Sequence, residues 1–169
     1  TQQFQDGQDI DNTSDQTLAL TSIQHTGRNG TDIKLDPVTF TYQLRPNRVD
    51  STSDNILALS MPRIASITSE TGAITTVALS DPECVRGSKM PSSEDDDTMS
   101  CYPQYWHING ATEASLDWFN KYRVTAVLSS DPTGLGEGVE SSYSYADPAW
   151  HYNFDPLVPS DERTWSPLE

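Results

Sequence analysis

The chain has 169 residues, and its 25 acidic against 10 basic side chains give a net charge of -15. That balance excludes a reader of nucleic-acid phosphates, which needs clustered Lys and Arg, and disfavours anionic membrane surfaces. Hydrophobic residues make up 34% and mean hydropathy is -0.59, enough for a lean core, and no apolar run approaches the ~20 residues that would insert as a membrane-spanning helix.

Residues 1–16 are polar, with Phe4 and Ile10 isolated, and read as an extended or poorly ordered lead-in. The opening Thr, without a charged and apolar leader behind it, points to a processed product or an excised fragment. "TLALTSIQ" (17–24) predicts a strand, "HTGRNGT" a turn and "TDIKLDP" a return. In "VTFTYQL", Val38, Phe40, Tyr42 and Leu44 alternate with Thr39, Thr41 and Gln43. That period of two predicts a half-buried strand. Residues 45–55 read as loop. "RIASITSETGAITTVALS" (63–80) predicts a hairpin, with Gly72 supplying the positive φ of its turn.

A long connection follows, 81–114, read as an insertion loop. Loops of that size need something to hold them. Cys84 and Cys101 are the candidates, and a disulfide between them would contribute about 3 kcal/mol by restricting the unfolded chain. Zinc is a poor alternative, because the C-x-x-C spacing and a His pair are both missing from the sequence. "LDWFNKYRVTAVLSS" predicts one long strand over 116–129, and "VESSYSYA" another alternating strand. The tail from Asp147 is aromatic and Pro-rich, and no segment has the period of an amphipathic helix. The fold class expected is therefore all-β: antiparallel hairpins forming a sheet or sandwich, as a single domain over 17–169.

Three segments run a strand into Thr-Gly: "SIQHTG", "SITSETG" and "LSSDPTG". Their spacing is uneven, so they would be degenerate hairpin units rather than a strict solenoid, against the plainer reading that any antiparallel β protein reuses strand–Thr-Gly–strand because turns demand Gly. The blocks "SITSETGAITTVALSDPECVRGSKMP", "CYPQYW", "LDWFNKYRVTAVLSSDPTG", "SYSYADPAWHYN" and "RTWS" together resemble bacterial Rhs/YD-repeat proteins, over roughly Pro46 to Ser166. The hallmark Tyr-Asp pair is absent and "YADP" is its nearest echo, so the likeness is to the segment leading into or flanking the YD-repeat β shell. The resemblance implies a non-enzymatic structural module of a large secreted, toxin-associated protein. Its partners would be neighbouring β repeats of the same parent chain, and it would lie outside the cell or on its surface.

Candidate chemistry is sparse. Tyr105, Trp106, Trp150 and Tyr152 could form rings that stack on a cell-surface glycan, with Asn109, Asn153 and Asp155 as polar neighbours. The plainer reading is that such large rings fill a lean core. Glu94, Asp95 and Asp97 are a Ca²⁺ candidate, against the plainer reading of a solvated acidic loop. No catalytic residue or cofactor is assigned. His25, His107 and His151 lie in unrelated contexts, and an acid pair such as Glu113 and Asp117 is expected by chance in so acidic a chain.

Overall fold

The alternation over 38–44 becomes a nine-residue strand, Val38–Pro46, in the computed structural model. The structure describes residues 2–5, 17–51, 53–94, 97–133, 136–146, 150–152 and 165–167, with the backbone alone for 3–5, 109, 150–152 and 165–167. In chain order the strands are β1 (Gln2–Gln5), β2 (Thr17–Leu20), β3 (Ser22–Ile23), β4 (Thr26–Asn29), β5 (Thr31–Lys34), β6 (Val38–Pro46), β7 (Ser60–Thr68), β8 (Ile74–Leu79), β9 (Cys101–Trp106), β10 (Ser115–Asn120), β11 (Val124–Ser130), β12 (Val139–Ser142), β13 (Trp150–Tyr152) and β14 (Trp165–Pro167). Helix among the described residues is limited to a 3-10 turn, Ile108–Gly110. The fold is all-β and antiparallel, as the sequence predicts.

The chain forms two compact units. The first comprises Thr1–Arg45, Met61–Ser80 and Val124–Ser144, and the second Pro46–Ser60, Asp81–Arg123 and Tyr145–Glu169. Residues 81–114, expected as an insertion loop within a single domain, belong to the second unit and contain β9. The long strand expected over 116–129 is two strands, β10 and β11, divided at residues 121–123, because β10 pairs with β9 whereas β11 pairs with β8 and β12. Residues 2–5 of the lead-in form β1, which pairs with β2 from Gln2↔Leu20 to Gln5↔Thr17.

The first unit is organised by one six-stranded sheet in the order β12-β11-β8-β7-β6-β3. Its β7–β8 hairpin closes over 69–73. The Ser69 N–H donates to the Ala73 carbonyl at 2.8 Å and the Gly72 N–H to the Ser69 carbonyl at 3.0 Å. Gly72 has φ +86, the left-handed region that glycine enters without a Cβ penalty. Pro62 lies in the part of β7 that precedes the pairing with β8, which begins at Ser66↔Thr76, so its missing N–H removes no bond from that ladder. Between Val124 and Ala126 the β11 register skips a residue at Thr125, a β-bulge.

Register assigns the side chains to faces. Ile23 opposes Val38, Thr41 and Ser66 share a hydroxyl contact of 2.7 Å, Ile67 opposes Thr75 and Val77 opposes Val127. Phe40, Leu44, Ile67, Val77 and Val127 therefore line one face. The strand β2 reaches it at one end, where the Tyr42 hydroxyl donates to the Leu20 carbonyl at 2.7 Å. Ala19 of β2 is buried. On the sheet face itself Phe40, Leu44, Ile67, Val77 and Val127 are half-buried, and toward the two edges Ile23 and Val139 are exposed.

In the second unit β10 is the central strand. On one side it pairs with β9, from Ser115↔Trp106 to Asn120↔Cys101. On the other it takes the segment 47–49, where the Val49 N–H donates to the Trp118 carbonyl and the Asn120 N–H to the Asn47 carbonyl, both at 2.8 Å. Asp117 through Asn120 are consequently buried on both faces. The face of Trp118 carries the apolar core: Val49, Cys84 and Cys101, with Met90 and Met99 packed against them. Cys84 and Cys101 form the expected disulfide, with a Cα–Cα distance of 6.1 Å, and bury it at the centre of that core.

Candidate functional site

The opposite face of β10 presents Asp117 and Phe119, and here the second unit concentrates its charge. Arg48 is held over this face by an antiparallel bridge to Phe119. Its guanidinium spends all three nitrogens on carboxylates: Nε donates to Asp117 at 2.6 Å, Nη1 to Asp50 at 2.6 Å, and Nη2 to Asp54. Arg86 donates from Nη2 to the other oxygen of Asp117, and from Nε and Nη2 to the Val49 carbonyl at 3.2 and 3.1 Å. The Trp118 N–H and the Trp106 indole N–H complete the shell around Asp117, at 2.8 and 3.4 Å.

The electrostatics follow from that shell. Burial pushes the Asp117 carboxyl up, but hydrogen bonds from Arg48, the Trp118 backbone and Arg86 outweigh it, and the group is held below the ordinary carboxylate range. Asp50 behaves oppositely, because burial raises it and the Arg48 charge only partly offsets the rise. Burial opposes the Arg48 charge, and Asp117 more than restores it. A carboxylate whose lone pairs are all taken is a poor general base. The geometry suits a lock that fastens residues 48–54 and Arg86 to β10.

Around the lock lie aromatic rings. Tyr102 stacks on Phe119 with centroids 6.0 Å apart, and Trp106 meets Phe119 edge-on at 6.3 Å and 73°. Trp106 is half-buried. Tyr105 sends its hydroxyl to Glu94 at 3.2 Å. Of the candidate glycan-stacking rings, then, Trp106 and Tyr105 have protein partners. The side chains of Trp150, Tyr152 and Asn109, and residues Asn153 and Asp155, lie outside the described residues.

The acidic loop is similar. Glu94 accepts from Tyr105, and Asp97 is buried and accepts the Met99 N–H at 2.8 Å. Asp95 lies outside the described residues. Among the described residues no group of three His, Cys, Asp or Glu side chains is placed to hold a metal ion. Glu83 accepts the Ser100 N–H at 2.8 Å and Lys89 at 3.3 Å. Burial opposes its charge, yet these bonds lower its pKa. His107 contacts the Ala111 carbonyl at 2.9 Å, His25 pairs with Glu70, and His151 has its side chain outside the described residues.

The Arg48–Asp117 centre is what sequence reasoning missed. On sequence alone Asp117 is one acid among many, and Arg48 belongs to a segment that reads as loop. One signal was present: Asp117 is a lone carboxylate in "LDWF", between apolar residues on a strand, where an ionised group needs a buried cation. No family model, curated protein or solved structure matches the chain.

Proposed function

We propose that the chain is a non-enzymatic structural β module of a large secreted protein of the Rhs/YD-repeat type, contributing to its β shell or the collar beside it. The observation that carries this reading is the incompletely covered apolar face of the six-stranded sheet. Phe40, Leu44, Ile67, Val77 and Val127 stay half-buried, and Ile64, Ile74 and Leu128 of the other face are exposed at 36%, 42% and 42%. A sheet with an apolar face ordinarily buries it against a second layer. Neighbouring β units of the same parent chain would supply that layer. The disulfide suits an oxidising compartment, and no described helix is long and apolar enough to cross a membrane. The saturated hydrogen bonding of Asp117 further favours a structural over a catalytic role.

The reading frame on either side of this segment tests the proposal. Continuation into YD repeats and a variable C-terminal domain supports it. A signal peptide directly before Thr1 and a stop soon after Ser166 would overturn it, leaving a free secreted domain.

A further inference from the structure

The two edges of the six-stranded sheet differ. At one end, β3 is only Ser22–Ile23, too short to template much pairing. At the other, β12 runs Val139–Ser142 with every residue exposed, and it carries neither Pro nor Lys to blunt the edge.

Register shows which backbone groups are open. The Tyr143 N–H donates to the Thr125 carbonyl at 2.9 Å, so 143 and 125 are a hydrogen-bonded pair. Alternation then turns the backbone of Val139 and Ser141 toward Ser129 and Val127 of β11. Glu140 and Ser142, opposite Leu128 and Ala126, direct their N–H and C=O groups away from the sheet. On the side-chain side, Val139 is 68% exposed and Tyr143 49%.

We propose that this edge pairs with the same edge of a second copy of the chain, antiparallel about a two-fold axis at Ser141. In that register Glu140 and Ser142 exchange hydrogen bonds with Ser142 and Glu140 of the second copy. Val139 meets Tyr143 on the apolar face, a β-branched residue against an aromatic. Two small hydroxyls meet at the axis. Moving the axis to Glu140 would set two carboxylates directly opposite, which like-charge repulsion opposes. The strand is thus self-complementary in a register that keeps its only charge off the axis. The inference concerns this edge alone and does not depend on the Rhs/YD reading. The net charge of -15 on each copy opposes association, so pairing strengthens as salt shortens the screening length from about 10 Å at 0.1 M to about 3 Å at 1 M.

Sedimentation equilibrium on the whole chain, at concentrations up to about 1 mM, tests this. A dimer that tightens with NaCl is expected. Ser141→Lys and Ser141→Glu each set like charges across the axis and should weaken the dimer about tenfold. An equimolar mixture of the two should restore it as a heterodimer. Ser142→Pro removes an outward N–H that β11 does not use, and should leave a monomer with an unchanged thermal midpoint. A wild-type chain that stays monomeric at 1 M NaCl overturns the proposal. So does a dimer indifferent to both substitutions at Ser141 and to Ser142→Pro, which would join through another surface such as the apolar face. A Lys and Glu mixture that fails to pair also overturns it.

Discussion

Arg48 and Asp117 stand 69 residues apart in sequence and meet as a buried ion pair, their side chains 1% and 3% exposed. The pair joins the segment before β7 to the central strand of the second unit, so its loss should be felt as loss of fold. Asp117→Ala removes the carboxylate that Arg86 shares with Nε of the buried Arg48, leaving Arg48 to Asp50 and Asp54, and should cost about 3–5 kcal/mol. Arg48→Lys should be nearly as damaging, since an ammonium cannot reach Asp117, Asp50 and Asp54 with the planar fork that does so now. Urea denaturation read by Trp fluorescence measures both. Losses under about 1 kcal/mol would assign the pair the weight of a surface salt bridge.

Acid should act through the same groups. Asp117 and Glu83 have folded pKa values below their unfolded ones. Their contribution is therefore full above the unfolded pKa of about 4 and is lost as pH falls through the folded values. Asp50 is raised and has the opposite sign: its stabilising contribution is present at low pH and is lost as pH rises through its folded value. Stability should stay level near neutrality and drop below about pH 4. Asp117→Asn should flatten that drop and Asp50→Asn should steepen it. Urea midpoints between pH 7 and pH 2.5 decide the order of the three.

The disulfide should hold the second unit far more than the sheet of the first. Cys84 and Cys101 are 4% and 0% exposed and share their core with Val49 and Trp118. Cys84→Ser with Cys101→Ser should cost about 3 kcal/mol from the freed loop, and further from two hydroxyls placed in an apolar core. Amide exchange should rise at Val49 and Trp118 while Val77 and Val127 keep their protection. Equal loss at all four sites would contradict this.

Gly72 offers a finer test. A Cβ there would lie 3.2 Å from the Pro132 Cβ, and φ is +86; Gly30 has φ +87 and open space around it. Gly30→Ala should cost about 1–2 kcal/mol from backbone strain alone. Gly72→Ala should cost more, the excess reporting the Pro132 contact. Thermal melts of the two variants separate these contributions.

How much of this was legible depended on the distance over which each residue acts. The alternation of Val38, Phe40, Tyr42 and Leu44 and the Thr71-Gly72 turn are local, and they appear as read. So does the bond between Cys84 and Cys101, because few partners were on offer. The strand β9 was hidden because Pro103 and unpatterned aromatics disguise "CYPQYW" as loop. The division at Lys121–Arg123 was invisible because strand propensity continues through it, and only the choice of partner strand breaks there. The lock on Asp117 was hidden most deeply. Its partners at 48, 50, 54 and 86 come from segments whose proximity is a property of the fold alone.

The same separation sets an order of events during synthesis. Ribosomes extend chains at about 5–20 residues per second, so Arg48 is made about 3 to 14 s before Asp117. Through that interval the guanidinium destined for the interior has no permanent carboxylate on β10. Cys84 is likewise exposed before Cys101 exists. The second unit can close only once β10 has emerged, whereas the β7–β8 hairpin is complete at Leu79. A nascent chain halted between these points would carry a finished hairpin, a guanidinium still without Asp117 and a free thiol still without Cys101.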